Sequence, residues 1–288
     1  IGGWSQTTAI REALARFKES GKFVYAYADT YTQRAYYLSS VADSIFIPAA
    51  GAIDLRGLAS ELTYYKSFQD KTGLKMEVIR HGKYKAAVEP YLEDEPSKEN
   101  LEQIKRVLAS LWDEVSSEIR INRGIDSADF EAVVHSAEAR DPERALALGI
   151  VDQIAYKDTY EEALKRAVNA DSNPVSAAST LNTMSVSSYS RVQTVTSPTT
   201  SDRIALIYAQ GTILYGEGSP TLMGQTTMNK ALISAREDNT VKAIVLRINS
   251  PGGSALTSDL IWREVEKTAA VKPVVVSISD IAASGGYY

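Results

Sequence analysis

The residues best suited to chemistry lie at the end of the chain, in Ser279-Asp280-Ile281-Ala282-Ala283-Ser284-Gly285-Gly286-Tyr287-Tyr288. They follow an apolar run, Pro273-Val274-Val275-Val276-Ser277-Ile278, whose short, β-branched character predicts a buried parallel strand. A serine among small residues and glycines, just past such a strand, stands where a helix should begin. There its hydroxyl can project into solvent while free backbone N–H groups point at whatever it attacks. The alternative is a glycine-rich turn with a capping serine. A second stretch, Asn249-Ser250-Pro251-Gly252-Gly253-Ser254, follows the apolar residues 243–248. Paired glycines at a strand's carboxyl end let backbone amides approach an oxyanion that a Cβ would obstruct, though an ordinary strand-to-helix turn has the same look. The third stretch is Lys83-Tyr84-Lys85-Ala86-Ala87-Val88-Glu89-Pro90. Lys85 stands among small and apolar neighbours, where loss of water favours an uncharged amine able to act as a base; a solvated surface lysine is the alternative.

Together these stretches resemble the bacterial signal peptide peptidase A (protease IV) family, serine peptidases of the Clp protease/crotonase fold. The matching pieces are Asn249-Ser250-Pro251-Gly252-Gly253, Ala283-Ser284-Gly285-Gly286-Tyr287 and Tyr84-Lys85-Ala86-Ala87-Val88-Glu89-Pro90. The glycine motifs alone admit other members of the fold, and the lysine segment makes the match specific. The resemblance implies a serine endopeptidase with a Ser-Lys dyad and no cofactor or metal. Lys85 would take the proton from Ser284 Oγ as a peptide carbonyl is attacked and pass it to the leaving amine; water would then hydrolyse the acyl-enzyme. Activity should rise towards alkaline pH. Gly252, Gly253 and Gly285 are the expected oxyanion-hole residues. Lys83 is the nearest rival to Lys85, and only the family pattern separates them.

The resemblance further implies hydrophobic peptide substrates such as remnant signal peptides, and an N-terminal membrane anchor lying outside this chain. It implies a catalytic domain on the extracytoplasmic side of the bacterial inner membrane, and a homo-oligomer that is a tetramer in the long form. A crotonase-type acyl-CoA enzyme using the same glycine turns is one alternative, and a catalytically silent scaffold is another.

Composition narrows the classes. At 288 residues, 44% hydrophobic and 23% charged, the chain suits a globular protein of one large or two ordinary domains. A net charge of −5 without a basic patch argues against a nucleic-acid partner. The lack of cysteine excludes disulfides and thiolate chemistry. No run approaches the ~20 apolar residues of a membrane span, and none reads as a signal peptide. Neither His81 nor His135 sits in a metal-ligand spacing. Asp29 and Asp280 read as helix caps, and Glu89 as a residue that orients the lysine segment.

The elements that must position these groups repeat. Residues 9–37 overlay residues 260–288 at a constant offset of 251. Ile10 falls on Ile261, Leu14 on Val265, Val24 on Val275, Asp29 on Asp280 and Tyr36-Tyr37 on Tyr287-Tyr288; Gly2-Gly3 meets Gly252-Gly253 after a slip of one. The shared order of glycine turn, amphipathic helix, buried strand and second helix predicts a duplication. Gln33 stands in the place of Ser284, so the first repeat offers no nucleophile but does offer Lys85. A working site must then draw on both halves. Ile1 is not a natural start, and the chain begins and ends at similar phases of the repeat. A window cut from a longer protein is expected, inactive by itself.

The expected fold class is α/β, with Clp protease/crotonase-like repeated β-β-α units in two tandem repeats, the first nearly complete and the second truncated. The expected domains are 1–170, supplying the lysine, a Ser/Thr-rich linker 171–202, and 203–288, supplying the serine. Helices are expected at 7–20, 32–41, 60–72, 98–122, 128–135, 142–148 and 226–237. Strands are expected at 23–28, 44–47, 75–80 and 203–208, with a turn and strand over 149–154 and an extended segment at 189–195.

Overall fold

The computed structural model describes residues 3–168, 181–192 and 201–288. Its contacts divide the chain into two units, Ile10–Ser179 and Ile1–Ala9 with Thr180–Tyr288. In chain order up to residue 168 come α1 (Trp4–Glu19), β1 (Tyr25–Tyr27), β2 (Thr30–Tyr31), α2 (Gln33–Ser39), β3 (Ser44–Ile47), β4 (Ala52–Ile53), α3 (Lys66–Thr72), α4 (Glu89–Leu92), α5 (Lys98–Arg123), α6 (Ser127–Ser136), α7 (Pro142–Ala147), β5 (Gln153–Ile154) and α8 (Lys157–Val168). Local chemistry sets their ends. Thr32 caps α2 by accepting the Ala35 N–H, Ser97 caps α5 by accepting that of Asn100, and α5 stops at Gly124, whose φ of +66° is left-handed.

The sheet of the unit Ile10–Ser179 is parallel, ordered β1-β3-β5, with β2 and β4 pairing beside it. Its middle strand, β3, is buried at every position. That is how an apolar run without alternation reads when both faces are covered. Ile45, Phe46 and Ile47 are buried, as are Tyr31, Tyr36, Ile119 and Phe130. The buried tyrosine hydroxyls find carbonyls, Tyr31 donating to Phe46 O (2.9 Å) and Tyr36 to Ile150 O (2.7 Å).

The other unit contains α9 (Val186–Val192), β6 (Arg203–Gln210), β7 (Thr212–Leu214), β8 (Gly218–Ser219), β9 (Leu222–Gly224), α10 (Gln225–Glu237), β10 (Val241–Ser250), α11 (Ala255–Ala269) and β11 (Val274–Ala282), then a 3-10 turn, Ser284–Gly286. Its main sheet is parallel, ordered β11-β10-β6, and the small β7-β9-β8 sheet lies beyond it in sequence from β6. Ile207, Met228, Leu232, Ile244, Leu246 and Ile261 form the core beneath α10 and α11. No helix among the described residues is long and apolar enough to cross a membrane.

Several expectations need correction. The helix expected over 60–72 occupies only Lys66–Thr72, and no strand forms over 75–80. Ile79 is fully exposed there and Met76 nearly half so; β propensity without a paired neighbour or a buried face does not make a strand. The run 273–278 does form a parallel strand but is not buried. β11 is an edge strand with β10 on one side only, and Val275 is 58% exposed. Where an extended segment was expected from 189, α9 is helical, started by Ser185 Oγ accepting the Ser188 N–H. Residues 193–195 and most of the stretch read as a linker lie outside the described residues.

Candidate active site

Parallel pairing of β10 with β11 brings the carboxyl ends of both strands, and the turns that follow them, side by side. The register carries an irregularity. Ile248 pairs with Ile278 and Ser250 with Ala282, so β11 uses three intervening residues where β10 uses one. Polar groups absorb the bulge: the Ile281 N–H donates to Asn249 Oδ1 (3.3 Å) and the Ala283 N–H to Ser250 O (3.0 Å). The chain then turns at Ser284, with φ +50°, a left-handed value rare for a residue with a side chain. Bonds from the Tyr287 and Tyr288 N–H groups to Ser284 O, each 3.0 Å, hold it there, and the serine is exposed. Strain of this kind, over-determined by its surroundings, gathers at functional sites.

The glycine turn presses against this serine. Gly252 has φ +93°, and a Cβ on it would lie 2.7 Å from Ser284 Cβ and 2.8 Å from Gly285 N. No other residue type fits. The Gly252 N–H is already committed, donating to Ser250 Oγ at 3.1 Å. Gly252 therefore permits the close approach but is not an oxyanion donor, which corrects the expectation for that residue. Gly253 forms a parallel bridge to Ile213, in which the Ile213 N–H donates to Gly252 O and the Ser254 N–H to Ile213 O. Amides of successive extended residues face opposite ways, so the Gly253 amide turns away from Ile213. Among the described residues it has no backbone acceptor, and neither has the amide of Gly285, in the first turn of its 3-10 segment. Of the three glycines expected to form the oxyanion hole, these two keep their amides free. An apolar cavity of about 220 Å³, open to solvent, borders Gly285 and is lined by Ile213, Leu246, Trp262, Ile278 and Tyr287.

Asp280 does act as a cap, but of a different helix from the one the sequence suggests. Its Oδ1 accepts the Ser5 N–H (2.8 Å) at the start of α1, and a Cβ on Gly3 would overlap its carboxylate. Asp29 accepts a bond from Tyr27 OH and caps nothing. His135 Nδ1 lies 2.8 Å from Glu131 O, and His81 is exposed.

Lys85 lies in the other unit, in the loop between α3 and α4, and it is exposed there. The expected apolar enclosure is not met within that unit, because the loop pairs with no strand and runs through solvent. Its backbone is nonetheless anchored. Arg80 Nη1 donates to Lys85 O (3.2 Å) and reaches Glu89 Oε1 (3.4 Å), while Gln103 Nε2 donates to Tyr84 O (3.1 Å). Glu89 is buried and accepts from Ser97 Oγ (2.6 Å), the Ser97 N–H (3.2 Å) and Asn100 Nδ2 (3.0 Å). Burial pushes its carboxyl up, but the bonds from Ser97, Asn100 and Arg80 outweigh that and hold it below the usual carboxylate value. Glu89 thus orients the lysine segment, as its place beside Pro90 suggested. Lys83 Nζ sits 5.2 Å from the Tyr84 ring centroid.

Gln33, the residue that the sequence overlay was expected to set against Ser284, is locked by its amide: Nε2 donates to Gly57 O, and Oε1 accepts the Arg56 and Gly57 N–H groups. The residues that sequence reasoning missed are Asn249 and Ser250. They were part of the glycine motif, but only its glycines were read as functional; two polar side chains at the end of an apolar strand were the available signal.

The model for peptidase family S49 matches residues 16–171. This chain belongs to peptidase family S49. Among its relatives within that similarity are Protease 4 of Haemophilus influenzae, 33% identical over 291 residues (97% of this chain, 46% of that protein), and Protease 4 of Salmonella typhi, 37% identical over 287 residues (97% and 45%). The chloroplastic serine protease SPPA of Arabidopsis thaliana is 32% identical over 292 residues, 99% of this chain and 42% of that protein. The chain spans about half the length of these relatives. The S49 match contains Lys85 and ends well before Ser284.

Proposed function

We propose that this chain is part of a serine peptidase that cleaves hydrophobic peptides, such as remnant signal peptides, through an acyl-enzyme. The observation that carries this reading is Ser284 itself: exposed, left-handed at the carboxyl end of β11, with the uncommitted amides of Gly253 and Gly285 on the turns beside it. Relatives named as proteases support it. Ser284 Oγ attacks the peptide carbonyl, and its proton passes to Lys85 and then to the leaving amine; water releases the acyl group. The two amides hold the oxyanion, and each such donor typically stabilises the transition state by ~3–4 kcal/mol. A base from one unit and a nucleophile from the other require the two to cooperate.

The tandem-repeat reading is part of the same proposal, with domains 1–170 and 203–288 joined by a linker at 171–202. At the offset of 251, α11 falls on α1, β11 on β1 and β2, and the turn Ser284–Gly286 on the first residues of α2. This coincidence supports two Clp protease/crotonase-like repeats. Following the family resemblance, we place the full-length enzyme at the bacterial inner membrane, anchored and oligomeric, with its site extracytoplasmic.

The test is made on the full-length protein. A fluorophosphonate probe should label the parent and not Ser284→Ala, and Lys85→Ala should stay folded while losing peptide turnover. Labelling that persists in Ser284→Ala, or a Lys85→Ala variant as fast as the parent, would refute the dyad.

A further inference from the structure

We propose that Ser250 is a positioning residue for the peptidase reaction, tying the glycine turn to the nucleophile turn so that the two free amides stand beside Ser284. The inference rests on the serine-peptidase reading and deepens it. Ser250 is completely buried at the carboxyl end of β10. Its hydroxyl donates to Gly211 O (2.6 Å) and accepts the Gly252 N–H (3.1 Å), and its carbonyl accepts the Ala283 N–H (3.0 Å). One residue thus joins three turns: the one after β6, the glycine turn, and the one that carries the nucleophile.

The bond to Gly252 has a geometric consequence. It fixes Gly252 at the base of the turn, and the bridge that follows, with Gly252 O and the Ser254 N–H both bonded to Ile213, leaves the Gly253 amide facing away from Ile213. The bond from Ala283 sets the height of Ser284 on the same frame. Space is tight as well, since a Cβ on Gly286 would lie 2.6 Å from Ser250 O and 2.9 Å from Ser250 Cβ. A small side chain with both a donor and an acceptor is what this position demands, and serine supplies it. Alanine fits the space but leaves Gly211 O and the Gly252 N–H without their partner. The glycine turn then loses the bond that orients it.

The experiment uses the full-length protein as parent, Ser250→Ala, Ser250→Cys and Ser284→Ala. Peptide hydrolysis is expressed per site titrated with a fluorophosphonate, alongside the labelling rate and the melting midpoint. Loss of one oxyanion donor lowers kcat ~10²–10³-fold, so a donor misdirected rather than removed should cost about tenfold or more. Ser250→Ala should show that fall in kcat per site with KM within about twofold of the parent, and labelling should slow in parallel. Ser250→Cys, similar in shape but a weaker partner, should fall between them. A serine with a merely structural role would lower the melting midpoint and the number of titratable sites while leaving kcat per site unchanged. That result for Ser250→Ala overturns the proposal; should this variant not fold, parent-like kcat in Ser250→Cys overturns it equally. Turnover that survives in Ser284→Ala removes the serine-peptidase reading and the proposal with it, and that failure is recognised without the Ser250 variants.

Discussion

Replacing Gly252 with alanine should disable the site as well as destabilise the protein. Two penalties combine. At φ +93°, a residue with a Cβ carries a backbone cost of ~1–2 kcal/mol. The new methyl would also stand 2.7 Å from both Ala283 O and Ser284 Cβ, and 2.8 Å from Gly285 N. Carbon contacts relax at roughly 3.5–4.0 Å, so the glycine and nucleophile turns must part by about 1 Å. A displacement of that size at a reacting centre costs ~10² in rate. Gly21 separates the two effects, because its φ is +80° but nothing lies within 4 Å of a Cβ built on it. Gly21→Ala should therefore lose ~1–2 kcal/mol of stability with unchanged kcat. Gly252→Ala should lose that backbone cost plus ~1–3 kcal/mol for the clash, and about a hundredfold in kcat/KM and labelling rate per titrated site. Urea unfolding and single-turnover labelling of the full-length protein measure both quantities. Labelling of Gly252→Ala at the parent rate would refute the reasoning, as would an equal rate loss in Gly21→Ala.

Other expectations follow from the anchoring of the lysine segment and from the core. Glu89 has a folded pKa below its unfolded value of about 4.3, so its stabilisation is complete above that pH and fades as pH falls through the lower folded value. Protection of amides at residues 80–88, relative to their intrinsic exchange rates, should fall over that acidic range in the parent, whereas Glu89→Gln, which turns an amide NH2 towards donors, should be poorly protected at every pH and lose ~1–3 kcal/mol. Arg236→Ala strips a buried carboxylate, Glu264, of its main partner and leaves it Lys267. Urea unfolding should register ~3–5 kcal/mol, and a loss under about 1 kcal/mol would contradict the pairing. Lys83→Ala should leave peptide turnover near that of the parent while Lys85→Ala abolishes it; the reverse pattern would reassign the base.

Much of the architecture was legible because local signals agreed. The long helix was placed from its apolar stripe after Pro96, and the structure shows Lys98–Arg123 between the Ser97 cap and Gly124. The alternation of strands and helices announced parallel sheets, and β3 was placed at its observed residues. Where the reading failed, a partner decided the outcome. Residues 75–80 have the composition of a strand but pair with none. β11 is apolar enough to be central and lies at an edge. Lys85 has apolar neighbours in sequence and solvent around it within its unit.

The candidate site divides along the same line. Composition and motif determined which residues have the means for chemistry: a serine and glycines after parallel strands, and a lysine in a family-specific segment. Only the tertiary structure decided which amides are free, since Gly252 loses its N–H to a hydroxyl two residues away while Gly253 and Gly285 keep theirs. It alone revealed that Ser250 holds the surrounding turns and which groups hold Glu89. Sequence determines what a segment can form by itself, because periodicity, caps and turns act within a few residues; burial, register and hydrogen-bond commitment depend on what packs beside it.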